Sequence, residues 1–322
     1  KSEEHRTTDR GIRGEVKGVQ ARPARARATK TNTSAAAQSA AMSGLRRILV
    51  TGGNAGIGFG LCRQLAGEEG CHVFLCSRDA SKGAAAVTDI KAKHPDAAIE
   101  LVEVDVGSDD SVAKAAAAVE QSLAGEKLYG IVNNAGVGLA ATADMETVLN
   151  TNYRGPLRIF QAFKPMLQAE GARIVNVGSG AGPSYVNKAP MELKKILTSP
   201  TPTLEQIEHV LSVGLDHIPE ADRNGFPPYG LSKACLASHT ILLASEHPSI
   251  TWSCCSPGFI DTKLTAGFGA RLTPEDVVVI KHCLFQPLKG NGFYYGSDAV
   301  RSPYHFMRNP GEPEFDGTNP FP

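Results

Sequence analysis

The sequence predicts an α/β domain built on a doubly wound parallel sheet. Three observations predict it. From residue 46 onward, short apolar runs alternate with stretches of helical spacing. The runs are almost continuously apolar, as strands buried on both faces must be. The first run ends in a cluster of glycines that leads directly into a helical stretch. Alternation of this kind makes sequential parallel strands joined by crossover helices.

The elements follow in order along the chain. Residues 46–51 read as the first strand, with a helical stretch through Leu65. Residues 71–76 are a second strand, and the Ala- and Lys-rich residues 81–93 a helix. Residues 99–104 are a third strand, followed by a helix over 108–123. Residues 128–133 are a fourth strand, and 145–169 read as one long helix. Residues 173–177 form a fifth strand. Residues 191–197 and 204–213 have helical apolar spacing. Between them, Ser199, Pro200, Thr201, Pro202 and Thr203 mark a break and then a helix cap. Residues 292–296 can form a last strand. Beyond them, residues 301–322 hold prolines and aromatics without a period. This tail is expected to lie irregularly over the surface or near a pocket mouth, with a disordered end.

Composition narrows the function classes. The chain has 322 residues, 42% of them apolar and 20% charged, enough to build a sizeable core. Lys and Arg balance Asp and Glu, which argues against a protein that grips nucleic acid by bulk charge. No run approaches the roughly 20 apolar residues of a membrane helix. The seven cysteines include no C-x-x-C pair and sit in apolar stretches, as reduced, buried thiols do. His209, His217 and His282 have no partner at metal-ligand spacing, so no metal site is expected.

The zero balance hides an asymmetry. Residues 1–43 carry nine Lys/Arg and four acids, a net of +5, and the remainder carries −5. This leader is rich in Ala, Arg, Ser and Thr and too poor in large apolar side chains to fold. A transit peptide, a basic arm that touches an acidic surface, and read-through upstream of Met42 all stay open. The expected compartment is therefore the cytoplasm, or a chloroplast or mitochondrion if the leader is a transit peptide. The domain expected to fold spans residues 44–300.

The motifs carry the chemistry. Gly52, Asn54, Gly56, Ile57 and Gly58 lie in a T-G-G-N-A-G-I-G turn between a strand and a helix. Glycines there let the backbone turn tightly and approach a pyrophosphate, while the helix start offers free N–H groups. Tyr229 and Lys233 are four residues apart, hence on one face of a helix. An ammonium near a phenol stabilises the phenolate and lowers a pKa that is ordinarily ~10. Ser179 ends the fifth strand, where its hydroxyl could bond the same substrate oxygen.

In this order the motifs resemble the short-chain dehydrogenase/reductase family, over roughly Arg46 to Gly296. The resemblance implies a Rossmann-type sheet and a catalytic set of Asn152, Ser179, Tyr229 and Lys233. Tyr229 would protonate a carbonyl oxygen, Ser179 orient it, Lys233 bind ribose, and Asn152 sustain a proton relay through a water. Asp105 would contact adenine and Asn133 would lie beside the nicotinamide ribose, with Val106, Ala135 and Gly136 also expected at the cofactor. Pro257, Gly258, Ile260 and Thr262 would hold the carboxamide. Relatives that use NAD carry an acid at the end of strand two. Ser77 stands there instead, followed by Arg78 and, one turn on, Lys82, so NADP(H) is the expected cofactor. Asp79 adds some repulsion.

Fifty positions separate Ser179 from Tyr229, where many members need about a dozen. Helical material at 180–228 resembles the carbonyl reductase branch and the monomeric plant reductases of specialised metabolism. The resemblance thus implies a monomeric NADPH-dependent reductase of a ketone, aldehyde or quinone, with no nucleic-acid or membrane partner. Two alternatives stay open: a dehydrogenase of one secondary alcohol, and a dinucleotide sensor without turnover.

Overall fold

The computed structural model describes residues 44–138 and 144–321. The leader readings for residues 1–43 lie outside the described residues. Seven parallel strands form one sheet in the order β3-β2-β1-β4-β5-β6-β7. They are β1 (Arg47–Val50), β2 (His72–Ser77), β3 (Ile99–Glu103), β4 (Gly130–Asn133), β5 (Ala172–Val177), β6 (Ile250–Cys255) and β7 (Phe293–Tyr295). β1 pairs with both β2 and β4, so the strand order reverses beside it. That reversal opens a crevice at the carboxyl ends of the strands.

Helices cover both faces. On one side lie α1 (Gly56–Gly67), α2 (Ala80–Lys93) and α10 (Val278–Phe285), whose Leu61, Leu65, Ile90 and Ile280 pack with Ile48, Val73 and Val132. On the other lie α3 (Asp109–Leu123), α5 (Gly155–Phe163) and the long α9 (Phe226–Glu246). There Val112, Val119, Ile159 and Phe163 pack with Phe74, Ile131 and Trp252. The strands are buried on both faces because both faces are covered, which explains the continuous apolar runs.

The region expected to be one helix over 145–169 is broken. α4 (Met145–Leu149) passes into a π-helical turn at Asn150–Arg154, then α5, then a 3-10 turn at Lys164–Met166. Pro165 sits in that last turn, where its missing N–H and its ring stop the α-helical ladder. The π turn exists because Asn152 points inward and its amide bonds both the N–H and the carbonyl of Val137, each at 2.9 Å. Wide turns of this kind are characteristic of functional sites.

The insertion is three helices, α6 (Ala181–Lys188), α7 (Met191–Leu197) and α8 (Leu204–Val213). Thr203 caps α8 in a reciprocal box with Gln206. Leu193, Leu197, Ile207 and Val210 pack against Leu231 and Cys235 of α9 in a core of their own. All seven cysteines are buried and free. Among the described residues no helix is long and apolar enough to cross a membrane.

The tail has no helix or strand of its own, yet side-chain contacts hold it in place. Arg308 is buried and pairs with Asp298, bonds Ser302 Oγ at 3.0 Å, and reaches the carbonyl of Glu312 at 2.6 Å. Asn319 exchanges hydrogen bonds with Thr198 at the end of α7. The tail is therefore pinned at both ends.

Candidate active site

One cavity of about 1110 Å³ occupies the crevice above β1, β4, β5 and β6. Ligand pockets usually measure roughly 300–1,000 Å³, so this one has room for two ligands. Sixteen of the sequence-predicted residues line it. They are Gly52, Asn54, Gly56, Ile57, Arg78, Asp105, Val106, Ala135, Gly136, Ser179, Tyr229, Lys233, Pro257, Gly258, Ile260 and Thr262.

At one end the wall is backbone. Gly52 and Gly56 have φ of +65° and +52°, a region that side chains disfavour. A Cβ on Gly52 would lie 3.1 Å from Cα of Ala135, and one on Gly56 3.0 Å from the Thr262 methyl. Ala55 precedes α1 and caps nothing with its side chain, so the leading N–H groups of the helix are left for a ligand. Thr51 braces the turn: its Oγ accepts from the N–H groups of Asn134 and Ala135 at 2.9 and 3.0 Å. The Asn134 amide donates to the carbonyls of Thr51 and Gly52. These bracing roles of Thr51 and Asn134 went unread in the sequence, although both residues sit inside the motifs. A glycine-lined turn with uncapped helix amides fits the pyrophosphate of a dinucleotide.

Five predicted residues lie off the wall. Gly58 sits beneath the turn, where a Cβ would come within 2.3 Å of the Gly52 carbonyl oxygen. Ser77 is buried, and its hydroxyl turns back to the Asp79 carbonyl at 2.7 Å. Lys82 pairs with Asp79 at 2.8 Å and is not part of the cavity wall. Asp79 also caps α2, so its charge is engaged locally and Arg78 alone of this trio reaches the crevice. Asn133 donates to Asn176 at 2.8 Å, in a buried chain that continues to Thr240. Asn152 lies fully buried behind Gly136, bonded to Val137 and to Ser232 Oγ at 3.1 Å. A Cβ on Gly136 would lie 3.4 Å from Asn152 Oδ1 and 3.7 Å from Lys233 Nζ, so both groups meet just behind that glycine.

At the other end, Tyr229 and Lys233 project from the first turns of α9. Lys233 Nζ donates to the Val177 carbonyl at 2.8 Å and stands 5.7 Å from the Tyr229 ring centroid. Burial pulls the lysine pKa down to about 8, opposed by the Cys254 and Cys255 thiols. Burial pushes the Tyr229 pKa up, and only the hydrogen bond to Ser179 draws it back. Removal from water disfavours the charged phenolate, so the buried phenol keeps its proton. A protonated, buried phenol beside a serine hydroxyl can donate to an oxygen placed between them.

With this geometry in place, comparison with known proteins is decisive. A family model described as short chain dehydrogenase matches residues 46–191. The (+)-neomenthol dehydrogenase of Arabidopsis thaliana is 32% identical over 265 residues, covering 71% of this chain and 88% of that one. The salutaridine reductase of Papaver somniferum is 30% identical over 296 residues, covering 78% and 94%. The chain belongs to the short-chain dehydrogenase/reductase family.

Solved structures of short-chain dehydrogenase/reductases agree in fold. Salutaridine reductase from Papaver somniferum superposes with a TM-score of 0.66 at 28% identity, over 78% of this chain and 99% of that one. The NADPH-bound carbonyl reductase from chicken fatty liver gives 0.59 at 24%, over 80% and 99%. As a short-chain dehydrogenase/reductase, the chain has a cavity suited to a nicotinamide dinucleotide beside an alcohol or carbonyl substrate. The large apolar side chains of the wall, Phe226, Phe259, Phe268, Leu272 and Met307, come from three separate segments. No spacing rule connects them.

Proposed function

We propose that this chain is an NADPH-dependent reductase of a bulky, uncharged ketone or quinone. The observation that carries the reading is the meeting of Ser179, Tyr229 and Lys233 in the same cavity as the uncapped glycine turn. Gly52, Asn54, Gly56 and Ile57 would hold the pyrophosphate, and Arg78 the 2′-phosphate. Arg78 supports NADP over NAD because it is exposed to the cavity and makes no ion pair among the described residues. When bound, the dinucleotide supplies the hydride. Ser179 orients the substrate oxygen and Tyr229 delivers a proton to it. Lys233, anchored on Val177, fixes the position of the phenol and reaches the ribose. The substrate end is walled by apolar side chains, which suits an uncharged body. Relatives named salutaridine reductase and (−)-isopiperitenone reductase support the direction of reduction.

The test is consumption of NADPH against ketones, aldehydes and quinones, with NADH as control. Tyr229→Phe is expected to lower kcat by roughly 10²–10⁴-fold while NADPH still binds. Arg78→Gln is expected to raise the KM for NADPH about 10- to 100-fold and leave that for NADH within about threefold. Turnover by the Tyr229 variant at the unmodified rate would remove the assigned acid. Absence of consumption across the whole panel would favour a dinucleotide sensor instead.

A further inference from the structure

The C-terminal segment supplies cavity wall from beyond the region where the family motifs occur. Residues Met307, Arg308, Asn309 and Pro310 all line the cavity. They are held there by construction. The Arg308 side chain is buried, with Asp298, Ser302 and the carbonyls of Asn309 and Glu312 as partners. Asp298 in turn accepts from the N–H of Gly311 at 3.1 Å. Tyr304 donates to the Gly292 carbonyl at 2.6 Å, which ties the start of the segment to the base of β7. Backbone pinned on both sides of residue 307 leaves its side chain free to face the cavity.

Met307 uses that freedom at a decisive place. Its Sδ lies 2.6 Å from where a Cβ on Gly180 would stand, so glycine at 180 makes room for it. Gly180 directly follows Ser179, the hydroxyl assigned to the substrate oxygen. Met307 is 61% exposed although it belongs to a cavity wall, so its surface is available to a ligand rather than spent on the core. Phe226 and Phe268, also half exposed, belong to the same cavity. A thioether on three rotatable bonds conforms to an irregular apolar shape and offers no charge.

We propose that Met307 is the specificity-determining residue of the substrate pocket, packing on the apolar body of a multi-ring ketone beside Ser179. The inference rests on the reductase reading above and deepens it. Small ketones reach Ser179 and Tyr229 without filling the space up to Met307. Ketones with a second ring fill that space and gain affinity from the contact.

The experiment compares cyclohexanone with 2-decalone, using NADPH and the full-length protein. In Met307→Ala the ratio of kcat/KM for 2-decalone over that for cyclohexanone is expected to fall about tenfold, carried by KM. Met307→Leu, of similar volume, restores the ratio to within about threefold. A structural role alone would move both ketones by one factor and lower the thermal midpoint. A ratio unmoved by Met307→Ala, or not restored by Met307→Leu, overturns the inference while the reductase reading stands on wild-type turnover. Failure of the unmodified protein to turn over either ketone, or any member of the wider panel, ends both.

Discussion

The two ends of the cavity are made of different material. The dinucleotide end is backbone: Gly52, Gly56 and the first amides of α1, braced by Thr51 and Asn134. The end proposed for substrate is side chain: Phe226 from α9, Phe259, Phe268 and Leu272 from the loop after β6, and Met307 from the tail. Backbone recognition requires particular residues at particular spacings, because only glycine permits the close approach. An apolar wall requires only that something of suitable size arrives from somewhere. The first end is therefore constrained position by position, and the second is free to be rebuilt.

Gly58→Ala should have the largest effect, and it strikes the backbone end. Its Cβ would meet the Gly52 carbonyl at 2.3 Å and the Asn134 amide at 2.5 Å, neither of which can yield without moving the turn. The expected loss is about 2–4 kcal/mol of stability, with NADPH affinity down at least about tenfold. Denaturant unfolding and a fluorescence titration measure both, and a variant that binds NADPH normally would show the turn to be pliable. Arg308→Met strikes the frame of the other end. It leaves Asp298 without its buried cation, a loss of about 2–3 kcal/mol once the partial exposure of the carboxylate is discounted. Denaturant unfolding reads that loss, and limited proteolysis of the tail should become faster. Unchanged proteolysis would mean that the Tyr304 and Asn319 contacts hold the segment unaided.

Tyr294→Phe is the smallest perturbation and sharpens the contrast where the ends meet. The Tyr294 hydroxyl is sealed from water and has no hydrogen-bond partner of normal geometry among the described residues. Burial pushes its pKa well up, and the Ser256 side chain pulls it back. Removing an unsatisfied buried hydroxyl should be neutral or stabilise by up to about 1 kcal/mol in thermal unfolding. A loss greater than that would show that Ser256 satisfies the phenol in solution.

Much of this was legible. Strands β1 to β5 and β7, with α1, α2, α3 and the insertion helices α7 and α8, fall where period and capping residues place them. The glycine turn, the Tyr229–Lys233 pair and Ser179 all reach the cavity. The misses share one cause. Ser77 turns its hydroxyl back to Asp79, Asp79 captures Lys82, and Asn133 spends its amide on Asn176. Each depends on a contact or an exclusion of water that a local pattern does not contain. α10 and α6 passed unread as well, since α10 is apolar on nearly every side and α6 opens with Gly and Pro.

The sequence by itself determined the sheet, its wrapping helices, the glycine turn and the shared helix face of Tyr229 and Lys233. Those features are written in short-range spacing, because backbone geometry and helical period act between near neighbours. Tertiary structure alone decided which charges face the crevice, how the buried phenol is poised, and which side chains of the tail line the cavity. Burial and long-range packing set those properties, and both arise only when residues from distant parts of the chain exclude water together.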